Sequence, residues 1–197
     1  MSEQIAKSDK KQYPAALLDG DVLAKGYTAI AAALKNVMPD DGTYRYVPIT
    51  SRPTETQWRT FTGKMPVVGI GWAGWHASKL DGRTFRGPLV YTVAVLTEHR
   101  QPELLYVGDG KLPGAFGVAA AAIGVLNGLV VNGVGTAFVT SVSSDDLAQF
   151  LNDGQASVLL TVQFDNASLD MGRMLGQLDT LKILHQNYIE SKTGAEL

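Results

Sequence analysis

An unbroken run of uncharged residues from Leu112 to Ser144 constrains the fold of this chain more than any other feature. It covers 33 residues and predicts a helix over Ala115–Val131 followed by a strand over Thr136–Val142. A helix of that length is about what a bilayer crossing needs. The polar Asn127, the repeated glycines and the absence of flanking basic clusters argue against a membrane span. We therefore expect protein, and no membrane, to cover this segment.

The overall composition is typical of a globular protein. The chain has 197 residues, of which 45% are apolar and 18% charged, and its net charge of −2 excludes a polyanion binder on charge alone. It contains no cysteine, so thiol catalysis, disulfides and cysteine-based metal sites are excluded. Residues 1–12 are charged and lack an apolar run, which predicts a flexible N-terminal arm and not a signal peptide. Residues 13–197 are predicted to form a single α+β domain.

The apolar spacing predicts helices packed on a mainly antiparallel β-sheet. Asp21–Val37 has apolar residues at three-to-four spacing, which indicates an amphipathic helix, and Val158–Phe164 alternates as a half-buried strand does. Asp40–Lys64 shows neither period and is interpreted as a long loop. In chain order the predicted elements are helix Asp21–Val37, strands Pro66–Trp72 and Leu89–Thr97 joined as an antiparallel hairpin with a long tip, helix Ala115–Val131, strand Thr136–Val142, a short helix Asp145–Asn152, strand Val158–Phe164 and helix Leu178–Ile189. This order, α-β-β-α-β-(short α)-β-α, belongs to the α+β class.

A GxGxxG pattern from Gly69 to Gly74 suggests a dinucleotide site, with Glu98 about 24 residues further on. Such a site requires the third glycine to open a helix whose amides hold the pyrophosphate. The residues after Gly74 have no helical apolar stripe, so we favour a strand relieved by glycine that enters a hairpin, and no cofactor. A small nucleotide- or ligand-binding enzyme built around these glycines is the alternative from a different functional class.

The predicted helix Ala115–Val131 carries a stripe of small residues at positions i, i+4, i+7 and i+11, namely Gly117, Ala121, Gly124 and Gly128. Such a stripe permits close approach to a sheet or another helix, while the remaining faces of the helix are also apolar. A helix that is apolar all round must be covered on several sides. We hypothesise that a neighbouring subunit covers part of it; the alternative is a helix wholly buried within its own domain.

Two connections combine aromatic and basic residues, a composition typical of protein interfaces. We favour protein contacts over nucleic acid here because the chain is slightly acidic. The alternative is that the aromatic side chains pack these loops onto their own sheet. The candidate interface residues are Trp58 and Phe61 in the first connection and Trp75, Arg83, Phe85 and Arg86 in the hairpin tip.

No pattern in the sequence indicates a catalytic or metal site. The three histidines, His76, His99 and His185, lack the spacing of metal ligands. No GxSxG nucleophile motif is present. We therefore predict no catalytic, cofactor-binding or metal-binding residues.

Several segments together resemble the tail terminator, or tail-completion, proteins of Mu-like contractile-tailed bacteriophages. The resemblance spans roughly residues 13–189 and depends on element order and on the glycine-led apolar helix after the second strand. It is carried by helix Asp21–Val37, the strands PVVGIGWAGW and GPLVYTVAVLTEHRQ, the connection VGDGKLPGAFG, the helix GVAAAAIGVLNGLVV and the strand ASVLLTVQFD.

The resemblance implies a non-enzymatic structural protein that assembles as a ring, expected to be a homohexamer, on the last ring of the tail tube. Such a ring ends tail elongation, holds the end of the sheath and provides the surface for head-tail joining. The implied partners are further copies of the chain, the tail tube protein, the sheath protein and the head-tail connector protein, with DNA only as cargo passing through the lumen. The implied location is the tail-neck region of the virion, after assembly in the host cytoplasm. The nearest alternative is another ring-forming tail tube or neck component.

Overall fold

The computed structural model describes residues 18–50, 54–63, 65–81, 84–144 and 151–170, together with residues 172, 175 and 176. Over these ranges the chain forms three α-helices, one 3-10 turn and seven strands. The elements are helix α1 (Asp21–Lys35), strand β1 (Arg45–Pro48), helix α2 (Glu55–Thr62), strands β2 (Val67–Trp75), β3 (Lys79–Asp81) and β4 (Thr84–Glu98), a 3-10 turn (Pro102–Leu104), helix α3 (Ala115–Leu126), and strands β5 (Val130–Val131), β6 (Gly135–Ser143) and β7 (Gln155–Asp170).

The strands form a mostly antiparallel sheet in the order β1-β2-β4-β7-β6-β5, with β3 paired to β4. Strands β4 and β7 lie at its centre and pair from Thr84 opposite Asp170 to Glu98 opposite Gln155. The edge strand β1 is parallel to β2, whereas the other pairs are antiparallel. The predicted α+β class is therefore confirmed, and so is the antiparallel pairing of the first two predicted strands.

Helices α1 and α3 pack on one face of the sheet, which we call the helix side. Helix α1 turns Ile30 and Leu34 toward this face, and both are fully buried. The sheet meets them with alternate residues such as Val93 and Leu160, also fully buried. Burying each such side chain stabilises the fold by roughly 1.5–3 kcal/mol. The predicted alternation of the last strand is confirmed, with Val158, Leu160, Val162 and Phe164 in this core.

The opposite face of the sheet carries a smaller core built around α2. Trp58 packs there with Val67, Ala94 and Leu96. The residue after β1, Ile49, lies over the glycines of β2: a Cβ on Gly69 would overlap its side chain, and one on Gly71 would lie 2.9 Å from its carbonyl oxygen. Glycine is required on β2 because the β1 end packs so closely against it.

The prediction of a featureless loop over Asp40–Lys64 is wrong, because this stretch contains β1 and α2. Strand β1 is only four residues long, too short to show an alternating period. Helix α2 begins at a capping box: the Thr54 hydroxyl accepts the Gln57 N–H at 3.3 Å, and the Gln57 side chain accepts the Thr54 N–H at 2.9 Å. The signal for this helix was therefore in its cap and not in its apolar spacing.

The predicted helix over Ala115–Val131 is too long. It ends at Leu126, and Gly128 follows with φ +87°, a left-handed conformation that glycine adopts readily and that stops the helix. Val130 and Val131 then form β5, paired with the start of β6. The hairpin tip is also shorter than predicted, since β2 continues to Trp75 and β4 begins at Thr84.

Some predictions concern parts of the chain that the structure does not describe. The N-terminal arm at residues 1–12 and the final helix Leu178–Ile189 lie outside the described residues, as does most of the short helix Asp145–Asn152; its last two positions, Leu151 and Asn152, are not helical. Arg83 also lies outside the described residues.

Candidate assembly surface

The GxGxxG pattern does not form a nucleotide loop. Gly69 to Gly74 all lie within β2, and the strand continues to Trp75 with no helix after it. A local irregularity between Trp72 and Gly74 shifts the pairing with β4. The interpretation of this segment as a strand relieved by glycine is confirmed, and the helix N-terminus that a pyrophosphate would need is not part of it.

The small-residue stripe lies away from the core. The buried face of α3 consists of Ala115, Val118, Ala122 and Leu126. Gly117 and Gly124 are exposed and Ala121 is half-buried, while Gly128 lies beyond the end of the helix and does not belong to the stripe. A Cβ added to Gly124 would meet no atom within 4 Å. The stripe therefore does not serve close packing against this chain's own sheet.

The outward face of α3 also exposes large apolar side chains. Phe116 is 65% exposed and Ile123 is 36% exposed. The alternative of a helix wholly buried within its own domain is therefore wrong. Contiguous exposed apolar surface of this kind is typical of protein contact sites.

Tyr106 extends this apolar surface because backbone hydrogen bonds attach its loop to the first turn of α3. The N–H groups of Ala115 and Phe116, which have no partner within the helix, donate to the carbonyl oxygens of Leu105 and Tyr106, each at 3.0 Å. This pairing places the Tyr106 ring 5.4 Å from the Phe116 ring. This loop, residues 105–114, also exposes Val107 and Leu112, and we call it the Tyr106 loop.

An acidic side chain holds the far end of this loop. One Asp109 carboxylate oxygen accepts the N–H groups of Leu112 at 2.7 Å and Lys111 at 2.8 Å, and these bonds lower the pKa of Asp109. Its other oxygen lies 3.7 Å from Nε2 of His99, a buried side chain whose Nε2 has no hydrogen-bond partner in the described structure. The loop is thus tied at both ends, and its apolar residues are held in place.

A groove of about 190 Å³ separates this loop and α3 from the end of β6. We call it the 106–142 groove. Its walls are mainly apolar, since Val142 on β6 is 43% exposed and faces Phe116 across it. The lining residues are Tyr106, Ala115, Phe116, Ala119, Val142 and Val158, together with Ser143, Ser144 and Ser157.

The structure places most of the predicted interface aromatics against their own sheet. Trp58 is only 7% exposed and stacks edge-on with half-buried Phe61 at 5.7 Å, so its prediction as an interface residue is wrong. Trp75 is half-buried, donates through Nε1 to the Gly87 carbonyl at 3.0 Å and stacks edge-on with Phe85 at 4.9 Å. These contacts agree with the alternative that aromatic residues pack the loops onto the sheet. Arg86 is exposed and remains a candidate.

Sequence reasoning missed three of the large apolar residues that the structure exposes. Phe116 and Val142 lie in the uncharged run, but nothing in their spacing shows that they face outward together. Trp72, which lies inside the GxGxxG pattern on β2, is 55% exposed. Its alternation with the buried Val68 and Ile70 predicts an inward side chain, whereas the structure leaves it exposed beyond the last residue of β2 that pairs with β1.

Two further properties of the described part of the chain bear on its chemistry. None of its helices combines the length and hydrophobicity that a bilayer crossing requires. Within the same residues, no three His, Asp or Glu side chains are grouped so that they could hold a metal ion.

No family model and no curated protein matches the chain. Among solved structures, one that is identified only by a sequence number superposes with a TM-score of 0.35 and 18% identity, over 71% of this chain and 94% of its own length. A superposition at that level carries no argument about function.

Proposed function

We propose that this chain is a structural ring protein, the terminator of a contractile phage tail, which caps the tail tube and sheath and provides the surface for head-tail joining. The observation that carries the proposal is the exposed apolar surface of α3, the Tyr106 loop and the end of β6. The segment from Leu112 to Ser144, which supplies α3 and β6, contains no charged side chain. The proposal that this assembly is a tail terminator comes from the order of elements in the sequence, which resembles that of tail terminator proteins.

An apolar surface of this kind favours self-association because its burial removes water from Phe116 and its neighbours. The surface lies toward one edge of the sheet, next to β6. A patch on one side that meets a different patch on the next copy gives a heterologous contact, and rotation closes such contacts into a ring. The lumen of the ring would let DNA pass as cargo.

The first test is the mass of the purified protein by light scattering after size exclusion, with negative-stain images of the peak. A homohexamer of 21.1 kDa chains has a mass of about 127 kDa and is expected to show a central hole. If the protein is a monomer alone, purified tail tubes are added and their ends are imaged. A chain that neither forms rings nor binds tube ends contradicts the proposal.

A matched pair of variants tests whether the apolar surface drives assembly. Phe116→Ser is expected to reduce ring formation, whereas Phe138→Ser, on the opposite face of β6, is expected to leave it unchanged. Both side chains are partly exposed, so both variants should keep the thermal stability of the monomer to within about 0.5 kcal/mol. Equal assembly in the two variants would remove this surface from the proposal.

The alternatives give different results in two simple assays. Capping of tubes at one end, with an end to further growth, separates a terminator from another ring-forming tube or neck component. A thermal shift with NAD, NADP, ATP or FAD tests the small nucleotide-binding enzyme, and stabilisation by several degrees would favour it. We expect no shift, because Gly69 to Gly74 form a strand.

A further inference from the structure

The outer edge of β6 is covered over only half of its length. Near its start, Ala137 exchanges hydrogen bonds with Gly128 and Leu129, and the Val139 N–H donates to the Asn127 side chain at 3.1 Å. From Thr140 to Ser143, the described residues offer the outer backbone groups no partner, and all four side chains are exposed. An uncharged open edge of this kind is a template for another strand.

A second open edge lies on the other side of the sheet. Strand β1 covers β2 only as far as Ile70, and the Ile49 N–H donates to the Ile70 carbonyl at 2.9 Å. Beyond this point, from Trp72 to Trp75, no backbone partner on the outer side of β2 occurs within the described ranges. Strand β1 itself offers a poor edge, because Pro48 has no N–H to donate.

The two open edges have the polarity that a continuous sheet requires. Strands β2 and β4, β4 and β7, and β7 and β6 are each antiparallel, so β6 runs opposite to β2. When copies are related by rotation, the β6 edge of one copy faces the β2 edge of the next in antiparallel orientation. Both edges are uncharged, from Thr140 to Ser143 and from Trp72 to Trp75. Their union is head-to-tail and can close into a ring.

The same arrangement gives the exposed tryptophan a partner. Trp72 lies opposite Tyr91 on β4 and therefore projects on the helix side. Val142 lies opposite Leu160 on β7 and projects on the helix side too, where it lines the 106–142 groove. Through the paired registers, Trp72 lies level with Val139 and Val142 lies level with Ile70, so the two open ends are offset by two residues along the strands. A tilt of the strands against the ring axis displaces the next copy by such an offset. With that displacement the open ends lie side by side, and Trp72 of one copy falls on the groove of its neighbour. The groove of about 190 Å³ has room for an indole, since an apolar cavity of about 150 Å³ holds benzene.

We propose that copies of this chain join by pairing the open end of β2 (Trp72–Trp75) with the open end of β6 (Thr140–Ser143) of the next copy, with Trp72 inserted into the neighbour's 106–142 groove. This inference depends on the proposed ring assembly and names its interface. It goes beyond that proposal in fixing which two edges form the heterologous contact and which side chain anchors it.

Cysteine cross-linking tests the pairing directly, because the chain has no cysteine of its own. The double variant Ala73→Cys/Ser141→Cys keeps Trp72 and places both cysteines at exposed positions of the paired ends. Treated with a short bismaleimide under assembly conditions, it is expected to give a ladder of covalent oligomers on a denaturing gel. Each single variant is expected to give none, since like positions do not meet in a head-to-tail contact. Dimers from Ser141→Cys alone would mean that two β6 edges pair with each other, which overturns the proposal.

Fluorescence provides a second measurement that does not depend on cysteine chemistry. On assembly the Trp72 indole leaves water, so emission is expected to shift to the blue with rising protein concentration, and Trp72→Phe is expected to lose this shift. Trp72→Ala is expected to weaken self-association by about 30-fold or more, the loss typical of a tryptophan hot spot. Circular dichroism checks that each variant is folded.

The outcomes separate this interface from the function. If the wild-type protein forms rings or caps tubes while the double cysteine variant, folded and assembled, gives no ladder, then the ring uses other surfaces and the β2-to-β6 pairing is overturned alone. If the wild-type protein neither forms rings nor caps tubes and the double variant gives no ladder, both proposals fail. A ladder without tube capping supports the interface and contradicts the terminator function.

Discussion

Helix α1 carries a glycine, Gly26, at the point where it crosses the centre of the sheet. A Cβ at this position would lie 2.7 Å from the Tyr91 hydroxyl oxygen and 3.1 Å from two ring carbons. The Tyr91 ring has no room to move. It is 1% exposed, its hydroxyl donates to the Leu23 carbonyl at 2.7 Å, and its ring stacks edge-on with Phe164. Gly26→Ala should therefore destabilise the protein although alanine favours helices.

The magnitude follows from three opposing contributions to the free energy of unfolding. Overpacking a dense core costs about 1–3 kcal/mol. Displacing the Tyr91 hydroxyl from the Leu23 carbonyl leaves a buried polar group unsatisfied, which costs about 1–3 kcal/mol more. Alanine in place of glycine inside a helix gains about 1 kcal/mol. We expect a net loss of about 3 kcal/mol, which lowers Tm by roughly 6–12 °C in a domain of this size.

A double-mutant cycle with Tyr91→Phe, followed by thermal and urea unfolding, tests the cause of this loss. Tyr91→Phe alone should cost about 1 kcal/mol for its hydrogen bond. In the double variant, the atom nearest to the new methyl group is gone. The loss of stability in the double variant should therefore be smaller than the sum of the two single-variant losses by about 2 kcal/mol. Strictly additive losses, or a neutral Gly26→Ala, would refute the reasoning.

Gly124→Ala is the matched control for this cycle. It makes the same substitution inside an α-helix, but at an exposed position with no atom within 4 Å of the added Cβ. We expect it to stabilise the monomer by about 1 kcal/mol. The opposite signs of the two changes separate local packing from helix propensity.

Three other predictions follow from the described contacts. Trp58→Ala should cost about 3–5 kcal/mol in urea unfolding, because it empties the smaller core; a loss below 1 kcal/mol would mean that α2 packs weakly. Thr54→Ala removes the cap of α2 and should cost about 1 kcal/mol, visible as faster amide exchange at Gln57 than in the wild-type protein. Burial raises the pKa of Tyr91 from 10.0 to about 12, so its contribution to stability is fully present below pH 10 and is lost as the pH rises through about 12. The urea midpoint should fall over this range, and less steeply in Tyr91→Phe; equal slopes would contradict this.

Much of the fold could be predicted from local patterns. The spacing of Ile30, Ala33 and Leu34 marked α1, and the alternation from Val158 to Phe164 marked the central strand. These signals are strong because each element has one face against a large core, which imposes its period on the sequence. The glycines of β2 were also interpreted correctly, since no helical stripe follows them.

The candidate surface could not be predicted in the same way. Trp72 and Val142 both project on the helix side of the sheet, yet both are exposed. Their exposure depends on which parts of that face the rest of the fold covers, and the residues around them in the sequence do not show this. Trp58 illustrates the converse case: its loop-like surroundings suggested an exposed aromatic, whereas the capped α2 carries it into a core. Composition alone does not distinguish an aromatic residue that faces another protein from one that faces its own sheet.

The pairing of β4 with β7 has a consequence for the order of events during synthesis. Central partners such as Val93 and Leu160 are about 67 residues apart, so β4 can form its hairpin with β2 long before β7 exists. At about 5–20 residues per second, the ribosome needs roughly 3–11 s to pass from Glu98 to Gln155. Strand β6 reaches the sheet only through β7, so its open edge takes shape after nearly the whole chain has emerged. Translation thereby delays the β6 half of the proposed contact until each copy has completed its own sheet, and we expect this delay to keep nascent chains from associating through it.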